Sequence, residues 1–175
     1  PAALTEDYRR DDLRGCSPAF AGAVARAKES LASTGDPQRC DFILDRACYE
    51  ELSQAAAASG CPFVQGYVAT LIDTVNLRSA VRSARPGKRT DFLNQVLLPG
   101  GTVDTHTLAL AKGDDLGRLF ASGALAEAAA LGTTVSAPGS GPLTAFERAC
   151  DNAVTAYVSA ARRVPFGPET VVGYL

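Results

Sequence analysis

At 175 residues, 46% apolar and 21% charged, the chain has the composition of a globular protein of one domain or two small ones, and not of a disordered tail. Its 17 basic and 19 acidic residues leave a net charge of −2, which excludes the overall basic footprint that displaces counterions from a nucleic-acid backbone. No run of about 18 apolar residues occurs, so no segment reads as a membrane-spanning helix.

In chain order, Ser17-Pro18 reads as an N-cap followed by a first-turn proline, opening a helix that runs to about Ser33, before Gly35. Asp36-Pro37 repeats the device. Phe42, Ile43, Leu44, Ala47, Cys48 and Leu52 then recur at steps of three and four, the helical period, before an alanine run to Ser59 and a stop at Gly60. Pro62 opens a third helix through about Ala84, whose Phe63, Tyr67, Leu71 and Val75 lie beside Val64, Val68 and Ile72 in one broad apolar stripe, with Pro86-Gly87 as its stop. The basic cluster Arg78, Arg82, Arg85, Lys88 and Arg89 reads as a solvated helix C-terminus, where cations meet the negative end of the dipole. A short helix over 90–97, a turn at Leu98-Pro99-Gly100-Gly101 and a helix from Asp104 to Ala111 are expected next, followed by short helical pieces over 114–120 and 124–131. The stretch 135–142 reads as a loop by composition. A long helix over 143–163 follows, and Gly167-Pro168-Glu169 starts the last one. Strand patterns are nearly absent and alanine, the best helix former, is abundant. The fold class predicted is all-α.

An internal echo is present. Leu44-Asp45-Arg46-Ala47-Cys48 is similar to Phe146-Glu147-Arg148-Ala149-Cys150; Pro62-Phe63 and Gly66-Tyr67 pair with Pro165-Phe166 and Gly173-Tyr174. This suggests a duplicated helical unit, with a division expected between 1–89 and 90–175. The chain starts on proline, contains no methionine and stops in the apolar run Val171 to Leu175, so it reads as a fragment.

Few residues suggest chemistry. The five cysteines, Cys16, Cys40, Cys48, Cys61 and Cys150, are odd in number and contain no C-x-x-C pair. Three of them fall in expected helices among apolar neighbours, where a free thiol packs as a small hydrophobe. This usage fits a reducing, cytoplasmic compartment. The single histidine, His106, sits in an expected exposed first turn, so neither a zinc site nor a Cys–His nucleophile is expected. The glycine-rich loop Pro138 to Pro142 has no strand before it and no lysine after it, and so reads as a connector and not a phosphate cradle. Asp45, Glu50, Glu51, Glu147 and Asp151 are scattered and read as solvated. Asp73 differs, because it lies in Leu71-Ile72-Asp73-Thr74-Val75-Asn76-Leu77 with apolar residues on both sides. A buried carboxylate needs partners. Asn76, three residues on, with Arg78 or with Arg46 of a neighbouring helix, is the expected set, forming a polar cluster that fixes how two helices meet. Loss of Asp73 is then expected to act on stability and not on any enzymatic readout. No catalytic, cofactor-binding or metal-ligating residue is expected.

Several runs together resemble the C subunit of V/A-type ATPases, called subunit d in the eukaryotic vacuolar enzyme. They are Asp41-Phe42-Ile43-Leu44-Asp45-Arg46-Ala47-Cys48-Tyr49, the motif Y-x-x-x-x-I-D-x-x-N-L-R kept as Tyr67, Ile72, Asp73, Asn76, Leu77 and Arg78, and the connector Pro99-Gly100-Gly101-Thr102-Val103. Phe146-Glu147-Arg148-Ala149-Cys150-Asp151-Asn152 and Gly167 to Leu175 continue the match, in family order, from about Gly35 to the end. The departures are Cys48 and Cys150, where the family more often has another apolar residue, and the missing first repeat and end of the third. The resemblance implies an all-α funnel of three related helical repeats, of which two are present. It also implies a non-catalytic central-stalk rotor subunit, peripheral on the cytoplasmic face of the membrane. Its implied partners are the central shaft of the catalytic head and the membrane rotor ring, for ATP-driven or ATP-yielding ion transport. Within it Tyr67, Asp73, Asn76 and Arg78 would be structural motif residues. Two other readings of the residues remain: a helical adaptor of another assembly, and an enzyme with a pocket between helices.

Overall fold

The computed structural model describes residues 13, 15–84, 90–112, 114–137 and 139–174. Among them lie nine α-helices, one 3-10 turn and no strand, so the chain is all-α. It forms two compact units, residues 1–51 and 52–175. The division expected after residue 89 adjoins the stretch 85–89. That stretch, with Arg85, Lys88, Arg89 and the Pro86-Gly87 stop, lies outside the described residues.

The first unit holds α1 (Pro18–Thr34) and the start of α2 (Pro37–Ala58). Ser17 caps α1, its Oγ accepting from the Phe20 amide at 3.1 Å while its hydroxyl donates to Glu51 Oε2 at 2.9 Å. Such a cap satisfies one of the four amides a helix start leaves without partners. Gly35 ends α1 at φ 67°, returning its amide to the Leu31 carbonyl; the left-handed conformation there suits a residue with no Cβ. Ala23, Val24 and Ala27 form the buried face of α1, and the Cys40 thiol donates to the Ala27 carbonyl at 3.2 Å. Cys48, expected to pack as a small hydrophobe, is instead exposed on α2. Helical period alone does not say which side of α2 is covered, and Cys48 falls on an exposed one.

The second unit is built around α3 (Pro62–Ala84). This helix packs against α4 (Thr90–Val96), α5 (Thr105–Leu110), α7 (Ala126–Val135), α8 (Thr144–Ala160) and α9 (Pro168–Tyr174); α6 (Asp115–Leu119) packs against α7. A helix covered on several sides must bury polar positions too, and α3 buries Thr70, Asp73, Thr74, Asn76 and Ser83. Three of these turn back on their own helix: Thr70 to Gly66 O at 2.8 Å, Thr74 to Thr70 O at 2.7 Å, and Ser83 to Ala80 O at 3.2 Å. The apolar core joins Leu77, Ala80 and Val81 of α3 to Leu93, Leu97, Leu108, Leu116, Phe120, Leu125, Ala129, Phe146 and Cys150. It draws on residues both before and after 85–89.

α7 runs four residues beyond the expected end at Leu131, because Gly132 is a packing position and not a stop. A Cβ at Gly132 would lie 2.9 Å from Val81 Cγ2 and 3.1 Å from Phe146 Cε2. Glycine therefore lets α7 settle into the corner between α3 and α8. Past it, Thr133 and Thr134 donate to the carbonyls of Ala129 and Leu131. α8 closes as a 3-10 turn over Ala161–Arg163, within the expected helical span.

Candidate functional site

The two polar groups of the I-D-x-x-N segment both reach off α3 onto one connector, the chain between α4 and α5. The Asn76 amide nitrogen donates to the Leu98 carbonyl at 2.8 Å, and its Oδ1 accepts from the Leu98 amide at 2.8 Å. The side-chain amide thus pairs with one residue's backbone as a neighbouring strand would. Leu98 is buried, so without Asn76 its backbone groups would lose partners that water cannot readily replace.

One turn earlier on α3, the carboxylate of Asp73 receives the other end of the connector. Both its oxygens accept from the Thr102 amide at 3.0 Å; Oδ2 also accepts from the Thr102 hydroxyl, and Oδ1 from the Val103 amide at 3.4 Å. The i, i+3 spacing on α3 sets Asp73 and Asn76 about one turn apart on one face. Between their two grips the chain must reverse, and Pro99-Gly100-Gly101 does so. Gly100 has φ 101°, a region that side chains disfavour. Gly101 is needed for a different reason: a Cβ there would overlap the Asp73 carboxylate. Asp104 then caps α5 through the Thr107 amide at 2.8 Å and hydroxyl at 2.9 Å, and these bonds hold its carboxyl below the usual range.

Arg78, on the same helix, points elsewhere. Its Nε lies 2.8 Å from Glu147 Oε2 and its terminal nitrogen 2.6 Å from Asp151 Oδ1, both on α8; the same nitrogen donates to the Glu147 carbonyl at 3.2 Å. Arg82 adds a 2.7 Å pair with Glu147 Oε1. Burial lowers the Arg78 guanidinium, but the Asp151 hydrogen bond and the nearby carboxylates outweigh it and hold it above its ordinary value. The outer Arg82 and Asp151 side chains are exposed, so those pairs add little alone. The inner Arg78–Glu147 contact is the better shielded.

At the opposite end, Tyr157 of α8 stacks on Phe63 with ring centroids 5.1 Å apart and lies tilted at 6.5 Å from Tyr67. Its hydroxyl donates to the Phe63 carbonyl at 3.1 Å, and a Cβ on Gly66 would overlap that hydroxyl. The contacts 63 to 157, 78 to 151 and 82 to 147 make α3 and α8 antiparallel. Tyr67, Asp73, Asn76 and Arg78 therefore form no single cluster. Asp73 and Asn76 hold the connector, while Tyr67 and Arg78 face α8. The expected bonding of Asp73 to Asn76 or Arg78 is corrected accordingly: among the described residues its bonds go to Thr102 and Val103, 29 and 30 residues away. The P-G-G-T run was the signal that could have pointed there, since a double glycine before a threonine marks a close approach.

Cys150, fully buried beside this ion-pair network, has its thiol pushed up to about 11 by burial, an effect the adjacent Arg78 only partly offsets. The unfolded chain releases this proton near the ordinary value of 9.0. The stabilisation is thus complete below pH about 9 and is lost as pH rises towards about 11, a change of order 2 kcal/mol. Urea midpoints between pH 8 and 11 should fall more steeply for the native sequence than for Cys150→Ala, and parallel curves would contradict this.

His106 lies exposed in the first turn of α5. Among the described residues no three His, Cys, Asp or Glu side chains converge to hold a metal ion, and no helix is long and apolar enough to cross a membrane. A family model described as "ATP synthase (C/AC39) subunit" matches residues 13–175. No curated protein and no solved structure matches the chain.

Proposed function

The chain belongs to the ATP synthase (C/AC39) subunit family, and from that premise we propose that it serves as the non-catalytic central-stalk subunit of a V/A-type rotary ATPase. In this reading it sits peripherally on the cytoplasmic face of the membrane, between the shaft of the catalytic head and the membrane rotor ring. It relays rotation for ATP-driven or ATP-yielding ion transport.

The observation that supports this best is the double grip on the connector. A relay must pass torque without yielding, and a loop is normally the softest part of a helical body. Here the loop between α4 and α5 is tied to the central helix at both ends, by Asn76 and Asp73. α8 is tied to the same helix by aromatic contacts at one end and ion pairs at the other. Close packing of the core adds low compressibility. We assign Tyr67, Asp73, Asn76 and Arg78 to this stiffening role and not to ligand chemistry.

The test is made on the whole complex in sealed vesicles. Removing this subunit should leave ATP hydrolysis by the head while abolishing ion pumping, and adding it back should restore pumping. Pumping that survives its removal would refute the assignment. So would a full-length protein that co-purifies with neither shaft nor ring subunits, which would favour an adaptor of another assembly.

A further inference from the structure

We draw no further inference here: the strongest candidate, the apolar surface of exposed Phe166 and Val171 around the start of α9, carries none because nothing in the structure shows what covers it.

Discussion

Asp73→Leu should lower the stability of the second unit by about 3 kcal/mol, seen as a lower urea midpoint with an unchanged m-value. Leucine is close to aspartate in shape but accepts nothing, so the amides of Thr102 and Val103 and the Thr102 hydroxyl lose their acceptor together. Each donor so abandoned costs about 1–3 kcal/mol when buried. Thr102 is exposed as a residue, and water can recover part of that loss. For a chain of this size the change corresponds to about 6–12 °C in melting temperature. Circular dichroism at the helical minimum reads the midpoint, and amide exchange at 98–103 reads the connector directly. Exchange there should accelerate more than in α8. A midpoint within about 0.5 kcal/mol of the native one would remove Asp73 from the grip.

The second large effect belongs to the corner where α3, α7 and α8 meet. Phe146 is fully buried, and Phe146→Ala should cost about 3–5 kcal/mol, combining lost transfer energy with a cavity that rigid helices cannot close. Gly132→Val should cost about 1–3 kcal/mol for the opposite reason, since the added carbons press on Val81 and Phe146. The two changes share one space. The double variant should therefore be more stable than the sum of the singles by about 1 kcal/mol or more. Denaturant melts of all four proteins complete the cycle. Strict additivity would show that Gly132 does not owe its place to Phe146.

Much of the helix inventory was legible from local chemistry. Ser17-Pro18, Pro37 and Pro62 mark helix starts, because proline's fixed φ and missing amide suit only a first turn. Gly35 marks a stop, because it tolerates a left-handed turn that other residues resist. Asp73 was legible as an anomaly, an acid on an apolar helix, but its partners were not. The residue that answers it stands 29 positions away, and no i, i+3 rule reaches that far. Gly132 misled for a related reason: a glycine near the end of a helical pattern is locally the same whether it ends the helix or admits a neighbour.

The echoed pentapeptides draw the line most plainly. Leu44 to Cys48 and Phe146 to Cys150 carry the same kind of pattern, and both are helical. Yet Cys48 is exposed and Cys150 is fully buried. What the amino-acid order determined alone is where helices begin, how they run and which positions stand out chemically, since backbone sterics and side-chain period act over a few residues. Which face is covered, which glycine admits a neighbour and which donors meet the Asp73 carboxylate were decided only in the tertiary structure. Those outcomes depend on groups brought together from distant parts of the chain, and packing admits one arrangement of them at a time.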